Sequence, residues 1–549
     1  MISKKLNRSA VLFFAASALA GTLACFAANA PEAAPGNAAA PAGAVKIDQP
    51  PVPHGEWPMW QLTPHRDNVS PEKNPPTQWD ISTGKNILWS QTLGSNSYGN
   101  PIVANGIVTI GTNNEGHKNP TIQADGGVEM AFDQNSGKFL WQKYYSKVPT
   151  GRVNDWPQEG LCATAYAEPG RLWYCTNQCH VVCLDLSPGA QKLPDGSPPV
   201  IWDFDMIGKL GVFPHNMTSS SIASYGDLIY VITGNGVDDT HKHVVSPQAP
   251  AIVCFNKNTG KVVWTDNTPG ANVLHGQWSS VAIVEVNGNP LVIAPLGDAW
   301  VYAYEAKTGK IVWRFDMNPK DAVYPQTRNE VIATPCINGK YMYIASGQDP
   351  EHGEGYGHMY CVDITGHGDV SAELEVDPNA PKPKIGQELV APADKIVHKG
   401  KPNPNSKVVW QFDVDRTAKK IGRAQHMNRT ISTALVTPEG LCVVPDFSGF
   451  VHCWDARTGE VLWTYDMMSA MWGSPLYADG KIFIADEDGD VAIFPASRKA
   501  PGKNDVIKNS VGASSYCSPV LVNGVLYVMT RDHLFAIKDG AKSAPVASE

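Results

Sequence analysis

The sequence has little charge and, after its first 30 residues, no long apolar run. Charged residues make up 18% of the 549 residues, and 53 acidic against 44 basic residues give a formal net charge of −9. This acidic balance argues against a nucleic-acid groove or an anionic membrane surface as the main partner. No later segment approaches the ~18 consecutive apolar residues of a membrane-spanning helix, so no transmembrane span is expected in the mature chain.

Residues 1–30 are predicted to be a signal peptide. Three basic residues precede an apolar run that ends near Ala28 in small residues, which is the order of a secretory signal. Cleavage is predicted after Ala30, with a rival site at Cys25-Phe26-Ala27, and a lipid anchor on Cys25 is a further alternative. Residues 31–56 are rich in Ala and Pro and are predicted to be a linker. The protein is therefore expected to be exported, and to be periplasmic if the host is Gram-negative.

A repeated motif runs through the rest of the chain. In each copy an apolar segment ends in an acid or amide, a turn of Thr or Ser followed by Gly comes next, and a Trp follows the turn. The turns and their tryptophans are Thr83-Gly84 with Trp89, Ser136-Gly137 with Trp141, Thr259-Gly260 with Trp264, Thr308-Gly309 with Trp313 and Thr458-Gly459 with Trp463. Trp202 and Trp410 end weaker copies. Such a repeat predicts units of four short strands, with this turn between the third and the fourth.

Eight such units are predicted. Their inner strands start near Asn100, Leu161, Ser219, Ser279, Ala333, Ser432, Gly473 and Cys517. The last unit stops after its third strand, and the unmatched strand from Asn86 to Gln91 can complete it, which closes a ring with no open sheet edge. The predicted fold is all-β, an eight-bladed β-propeller with four-stranded antiparallel blades. It spans 57–540, with an insert at 364–407 in the fifth blade and a tail at 541–549.

Four cysteines occupy positions where other repeats have Ala, and three lie in first strands; a packing role is predicted for them. They are Cys183, Cys254, Cys361 and Cys453, and Cys162, Cys336 and Cys517. Cys175 and Cys179 stand directly before His180. Haem attachment usually has two residues between its cysteines and this run has three, so no haem is expected. A disulfide between these two cysteines is an alternative in an oxidising compartment.

The repeat resembles that of the pyrroloquinoline quinone (PQQ) type β-propellers. The shared pattern is Ala/Cys-x-Asp-x-x-Thr-Gly-Lys-x-x-Trp, and the opening Trp57-Pro-Met-Trp60 resembles the start of bacterial PQQ-like repeat proteins. The resemblance covers about residues 57 to 540. It implies the fold but no single function, because the family holds quinoprotein dehydrogenases as well as inert members such as the propeller lipoprotein of outer-membrane assembly.

The residues just ahead of the inner strands are expected to converge on the propeller axis, because the loops that enter these strands share one face. They are Tyr98, Glu159, Asn216, Gln277, Trp278, Asn329, Glu330, Asn428, Arg429, Trp472 and Tyr516. Carboxylates, amides, an Arg and aromatic rings suit a planar, anionic ligand with a hard cation. A polar channel filled with water would use the same residue types. The expected partner is a small ligand in this axial pocket or a protein on the loop-bearing face.

Two longer loops, 233–243 and 348–358, are expected to reach the same face. Imidazole and carboxylate groups together suit zinc or a similar ion. The first loop carries His241 and His243. The second holds a candidate metal site whose residues are Asp349, Glu351, His352, Glu354 and His358.

Resemblance to the quinoprotein alcohol dehydrogenases implies calcium and PQQ as cofactors. Thr233-Gly234-Asn235 matches the segment whose Asn helps to hold calcium in that family, and Glu159 is the second calcium candidate. However, the segment after Thr268-Pro269-Gly270 lacks the family's catalytic acid up to Trp278. Leu296 stands where the family has a Lys at the quinone, and no two cysteines are adjacent.

These departures leave open whether the protein is an enzyme. Proton or hydride abstraction from an alcohol needs a base beside the quinone. The candidates are Glu330, His275 and Asp298. The favoured interpretation is a ligand-binding or scaffold protein that uses the axial pocket and the loop-bearing face. A quinoprotein oxidoreductase and an envelope assembly partner are the alternatives.

Overall fold

Eight sheets of four antiparallel strands follow one another along the described part of the chain, which confirms the predicted propeller. The computed structural model describes residues 45–353, 355–377, 399–413 and 422–546. The predicted signal peptide, with Cys25, and Glu354 lie outside the described residues. Within these ranges the α-helix is the short Met206–Leu210, and no helix has the length and hydropathy to span a membrane.

The sheets are blades 1 to 8, numbered in chain order by their inner strands. From inner to outer strand, blade 1 is Ile102–Ala104, Ile107–Asn113, Gly126–Asp133 and Phe139–Ser146; blade 2 is Tyr166–Glu168, Arg171–Cys175, His180–Asp185 and Val200–Asp205; blade 3 is Ala223–Tyr225, Leu228–Ile232, Ile252–Asn256 and Val262–Asp266; blade 4 is Ala282–Val286, Asn289–Pro295, Trp300–Glu305 and Ile311–Asp316.

The second half of the ring repeats this order. Blade 5 is Cys336–Asn338, Tyr341–Ala345, Met359–Asp363 and Val408–Phe412; blade 6 is Leu435–Val436, Leu441–Pro445, Phe450–Asp455 and Val461–Asp466; blade 7 is Leu476–Ala478, Lys481–Ala485, Asp490–Pro495 and Ile507–Ser510; blade 8 is Val520–Val522, Val525–Met529, His533–Lys542 and Lys85–Thr92.

Blade 8 therefore takes its outer strand from the N-terminal side of the chain. Lys85–Thr92 pairs antiparallel with His533–Lys542, and Trp89 stands opposite Ala536. This pairing confirms the predicted closure. A ring joined in this way has no unpaired blade edge, because both chain ends contribute strands to one sheet.

Five short strands lie outside the regular blades. Ile47–Asp48 pairs with the inner strand of blade 4, and Val69–Ser70 runs parallel to the inner strand of blade 7. In the insert of blade 5, Gly368–Asp369 runs parallel to the outer strand of blade 4. Glu373–Glu375 and Gly400–Pro402 pair with each other further along the same insert.

The turn of the repeat has a local cause. In blade 1, one carboxylate oxygen of Asp133 accepts hydrogen bonds from the backbone N–H and the hydroxyl of Ser136, at 2.8 and 2.7 Å. Gly137 follows with a φ of +68°, a left-handed conformation that favours Gly. A Cβ on Gly137 would lie 2.5 Å from the Trp89 ring. The Asp and Ser side chains thus shape the turn, and the Gly makes room for a neighbouring blade's Trp.

The tryptophans of the repeat join neighbouring blades. Six of their indole N–H groups donate to a backbone carbonyl that follows the third strand of the next blade, at 2.8 to 3.1 Å. The pairs are Trp89 with Gln134, Trp202 with Lys257, Trp264 with Ala306, Trp313 with Ile364, Trp410 with Ala456 and Trp463 with Ser497. The buried apolar side chains form clusters between adjacent blades around these rings. The core is therefore a ring of interfaces between blades.

The ten described cysteines are free and buried. Cys175 ends the second strand of blade 2, and Cys179 lies in the hairpin that follows, with a φ of +60°. The two thiols are separate, so the structure does not form the disulfide considered from the sequence.

Candidate functional site

A cavity of about 500 Å³ opens where the loops that precede the inner strands meet. Residues from these loops in all eight blades line it, which places it on the propeller axis. Six of the residues that the sequence placed near the axis line the cavity: Tyr98, Glu159, Asn216, Trp278, Trp472 and Tyr516. The longer loops of blades 3 and 5 add His241, Asp349 and Glu351 to the rim.

One wall of the cavity is aromatic. Tyr98 and Tyr516 are stacked, with ring centroids 5.3 Å apart and planes 20° apart. Trp472 packs against both, with its centroid 4.8 Å from Tyr516 and 6.1 Å from Tyr98. Its indole N–H donates to Glu487, which holds the ring in place. Flat apolar surfaces of this kind bind the faces of rings.

A partly buried carboxyl group, Glu159, stands beside this wall. Burial raises its pKa to about 7, and the charge of Lys147 acts in the opposite direction. Its Oε2 has no hydrogen-bond partner in the described part of the protein. A carboxyl group with a pKa near 7 can donate or accept a hydrogen bond at neutral pH. Glu159 is therefore free to bond to a molecule in the cavity.

Histidines form the opposite side. His215 precedes the inner strand of blade 3, and its Nδ1 lies 2.8 Å from Val237 O. His275 precedes the inner strand of blade 4, and its Nε2 lies 2.9 Å from His215 Nε2. Gly236 allows this approach, because a Cβ there would lie 2.5 Å from His275 O and 2.6 Å from His215 Cβ. The ring centroid of His241 is 4.9 Å from that of His215 and 4.5 Å from that of His275.

The loop of blade 5 brings a carboxylate to these imidazoles. Asp349 caps the 3₁₀ turn Pro350–His352 by accepting the backbone N–H of Glu351 at 3.0 Å. The turn directs Glu351 Oε1 to within 3.6 Å of His275 Nε2 and 3.7 Å of His241 Nδ1. His352 Nε2 is also 3.7 Å from this oxygen. Three imidazoles, from the loops of blades 3, 4 and 5, thus surround one carboxylate oxygen of Glu351.

Burial lowers the pKa of both inner histidines, to about 3 for His215 and about 4 for His275. Both are therefore neutral at physiological pH. Glu330 stands behind His275, with its Oε1 3.4 Å from His275 Nδ1 and 2.8 Å from the Tyr324 hydroxyl that donates to it. Burial raises the pKa of Glu330 to about 7. Of the candidate bases, Glu330 and His275 are in contact with each other.

The side chains of two residues predicted to bind a cofactor make hydrogen bonds to backbone groups instead. Asn235 accepts the N–H of Phe213 at 2.9 Å and donates to Ser246 O at 3.0 Å. Gln277 donates to Asn235 O at 2.7 Å and accepts the N–H of Gly297 at 3.1 Å. Neither side chain lines the cavity.

Arg429 and Asn329 form a second structural pair. The guanidinium of Arg429 donates to Asn329 Oδ1 at 3.1 Å and to the carbonyls of His352 and Pro325 at 3.0 and 2.9 Å. Asn329 donates to Tyr356 O at 2.6 Å. Their side chains join the loop of blade 5 to blade 6, and neither lines the cavity.

Two further candidates lie away from the histidine cluster. Asp298 accepts the hydroxyl of Tyr302 at 2.6 Å and the N–H of Trp300 at 3.2 Å, and burial raises its pKa to about 6. His358 Nδ1 lies 2.9 Å from Asp413 Oδ1. Neither residue lines the cavity, and among the described residues neither belongs to a group of convergent metal-ligating atoms.

The sequence did not single out His215, Arg152 or Trp156, which also line the cavity. His215 precedes the predicted axial residue Asn216, so widening that list by one position would have included it. Arg152 and Trp156 lie in the loop that precedes the predicted Glu159, and the guanidinium of Arg152 is 5.3 Å from the Trp156 ring centroid.

The residues present do not fit a calcium and PQQ site of the quinoprotein dehydrogenase kind. Of the predicted calcium pair, Glu159 lines the cavity, whereas both ends of the Asn235 side chain bond to the backbone. Arg429 is likewise turned away from the cavity. The cavity instead presents an imidazole-rich group, and imidazole favours transition metals over calcium.

Comparison with known proteins identifies a family whose sequence profile matches the chain. The sequence profile of the family described as outer membrane protein assembly factor BamB matches residues 197–380 and 400–540, more than half of the chain. No curated protein matches the chain.

Two solved structures align with the chain. A europium-containing methanol dehydrogenase aligns with a TM-score of 0.54 and 13% identity, over 89% of this chain and 90% of that chain. BamB from Moraxella catarrhalis aligns with a TM-score of 0.48 and 13% identity, over 83% of this chain and 98% of that chain. At such identity the likeness to the dehydrogenase shows a common fold.

Proposed function

The chain belongs to the family described as outer membrane protein assembly factor BamB, and we propose that it is an exported ligand-binding propeller whose axial cavity holds a small, flat organic molecule. The cavity of about 500 Å³, lined from all eight blades, carries this proposal. Its volume falls in the range of roughly 300–1,000 Å³ that is usual for small-molecule sites. Export follows from the sequence and is tested by cell fractionation.

The lining indicates the chemistry of the ligand. The stacked rings of Tyr98 and Tyr516, with Trp472 against them, offer a surface for one face of a ring. Glu159 offers the buried, unpartnered Oε2 beside that surface. Arg152 adds a positive charge to the rim. A ring that carries carbonyl, hydroxyl or carboxylate oxygens would satisfy these three groups together.

Binding can be measured by quenching of tryptophan fluorescence, because Trp278 and Trp472 line the cavity. The probes are PQQ with and without calcium, 1,4-naphthoquinone as a neutral planar ring, and D-glucose as a hydroxyl-rich ring. We expect saturable quenching by a planar probe that does not require calcium. Absence of saturable quenching by all three probes would contradict the proposal.

A pair of variants tests the position of the site. Glu159→Gln removes the carboxyl group in the cavity, and Glu460→Gln makes the same change on a surface turn of blade 6. Losing one hydrogen bond of about 1.5 kcal/mol weakens binding about tenfold. We expect this loss for Glu159→Gln and wild-type affinity for Glu460→Gln. Equal affinities in the two variants would place the ligand elsewhere.

The family's description names outer-membrane protein assembly, so a protein partner on the loop-bearing face is the second candidate function. That function predicts co-purification with an outer-membrane assembly machine whether or not Glu159 is replaced. A PQQ-dependent oxidoreductase, the other alternative from the sequence, is disfavoured because Asn235 and Arg429 are bonded to other protein groups. PQQ binding that requires calcium, with substrate-dependent dye reduction that Glu330→Ala abolishes, would contradict this.

A further inference from the structure

Three histidines that are distant in the sequence place their nitrogens together at the edge of the axial cavity. One ligand atom from each of His215, His241 and His275 lies within 4.8 Å of the other two, and one from each of His275, Glu351 and His352 does the same. His275 belongs to both groups. The donors come from loops of blades 3, 4 and 5, so the propeller fold is what brings them together.

We propose that the axial cavity carries a site for one divalent transition-metal ion of the zinc type, whose ligands are His215, His241, His275 and Glu351. Bonds of 2.0–2.1 Å to a tetrahedral ion set neighbouring ligand atoms roughly 3.3 Å apart. Glu351 Oε1 is already 3.6 Å from His275 Nε2 and 3.7 Å from His241 Nδ1. The four ligands fall in two groups that share His275, so closing the site requires His215 and Glu351 to approach each other.

The groups on the far sides of the His215 and His275 rings leave the two Nε2 atoms, which face each other, available to a metal ion. Val237 O accepts the Nδ1–H of His215, which leaves the Nε2 lone pair directed at His275. Glu330 Oε1 lies 3.4 Å from Nδ1 of His275, on the side away from the cluster. Metal-bound histidines usually bond to a carbonyl or carboxylate through their other nitrogen, which fixes the tautomer and the orientation. His215 makes this bond to Val237 O, whereas His275 Nδ1 lies beside Glu330 without a hydrogen bond to it.

A hydrogen-bonded histidine pair by itself explains less of the geometry. His275 Nε2–H can donate to His215 Nε2, but Nδ1 of His275 then remains without a hydrogen-bond partner. That pair also requires neither a third imidazole nor a carboxylate oxygen close to His275 Nε2. An ion would take the place of the shared proton, and His275 would then carry its proton on Nδ1, facing Glu330.

The donor set selects the kind of ion. Imidazole nitrogens with one carboxylate suit Zn²⁺, Cu²⁺ and similar ions, whereas Ca²⁺ and Mg²⁺ prefer sets made of oxygen atoms. His215, His241 and Glu351 also line the cavity. The ion would therefore face the space in which an organic ligand is proposed to bind, and an oxygen of that ligand would be able to coordinate it. This last link rests on the proposed function, whereas the metal site itself does not.

The loop of blade 3 offers a matched pair of variants. His241 belongs to the cluster, and His243 stands two residues away, 76% exposed and 3.0 Å from Asp238. The side chain of His241 is 39% exposed, so replacing it leaves the core intact. His241→Ala removes a proposed ligand, and His243→Ala removes a more exposed imidazole from the same loop.

The test is a titration of the full-length mature protein, freed of metal by chelation and dialysis, with Zn²⁺ in competition with a chromophoric zinc indicator. We expect one Zn²⁺ per chain at micromolar or tighter affinity, without competition from Ca²⁺. His241→Ala and Glu351→Gln should each weaken binding by at least about tenfold, and His243→Ala should match the wild type. Circular dichroism of each variant checks that the propeller is folded.

Three results would overturn the metal site. They are no stoichiometric Zn²⁺ binding, unchanged affinity in folded His241→Ala and Glu351→Gln, and equal losses in His241→Ala and His243→Ala. No organic molecule is present in this titration, so its outcome is separate from the quenching experiment. If zinc binds and no planar probe quenches the fluorescence, the metal site is supported and the proposed ligand is contradicted. If a planar probe quenches and zinc does not bind, the proposed ligand is supported and the metal site is contradicted.

Discussion

Replacing Gly309 by Ala should force blades 3 and 4 apart at one defined contact. Gly309 lies in the turn of blade 4, with a φ of +73°, against the Trp264 ring of blade 3. An added Cβ would lie 2.6 and 2.7 Å from two ring carbons of Trp264. The ring is buried and its N–H donates to Ala306 O at 2.9 Å, so it has little room to move.

Two effects add up in this variant. An Ala in the left-handed region costs about 1–2 kcal/mol of stability, and overpacking against a buried ring costs about 1–3 kcal/mol more. Gly480 isolates the first effect, because its φ is +74° and no atom lies within 4 Å of an added Cβ. Gly309→Ala should therefore lower the free energy of unfolding by about 1–3 kcal/mol more than Gly480→Ala does.

Urea unfolding followed by tryptophan fluorescence measures this difference. The two variants and the wild type are compared in one buffer, and unfolding rates at fixed urea replace equilibrium values if refolding is incomplete. Equal destabilisation of the two variants would refute the reasoning. It would mean that the glycines of the repeat serve the turn alone, and that the Trp-to-Gly contact between blades adds nothing.

Three further predictions use the same unfolding assay or a thiol count. Trp313 is fully buried and donates to Ile364 O at 3.0 Å, so Trp313→Ala should cost about 3–5 kcal/mol; an unchanged midpoint would contradict the assigned register of blades. Burial raises the pKa of Glu129 from 4.5 to about 8, so the folded protein keeps a proton that the unfolded chain releases, and stability falls as pH rises between these values. The free energy of unfolding of Glu129→Gln should therefore rise relative to that of the wild type over this pH range, by a few kcal/mol at about 1.4 kcal/mol per pKa unit. A difference in unfolding free energy that stays constant between pH 5 and 8.5 would contradict this. Because the described cysteines are free, unfolded protein should give the same thiol count before and after reduction, and a count that rises on reduction would reveal a disulfide.

The blade repeat could be predicted from the sequence because its contacts are local or recur at a fixed spacing. The carboxylate of Asp133 reaches Ser136 three residues later. Gly137 then meets Trp89, which lies in the outer strand of the preceding blade. The same contact recurs at Gly260, Gly309 and Gly459, and a recurring contact leaves the same residue types at the same spacing each time. The number of blades and the closing strand follow from that spacing alone.

The direction of each axial side chain could not be predicted in the same way. Asn235 and Gln277 stand in loops near the axis, as expected from the sequence, but they bond to backbone groups around them. Arg429 donates to carbonyls of the blade 5 loop. Buried backbone groups need partners, and a nearby polar side chain supplies them before it can serve a ligand. Which groups lack a partner is known only once the loops are packed.

Sequence alone thus determined the propeller, its closure and the set of loops that surround the axis, because repetition and periodicity are properties of the chain itself. The tertiary structure decided which of those loop residues form a site. His215 and Glu351 are far apart in the sequence and join one cluster around His275. The distance between them depends on how blades 3, 4 and 5 turn about the axis, and no spacing in the sequence encodes that rotation.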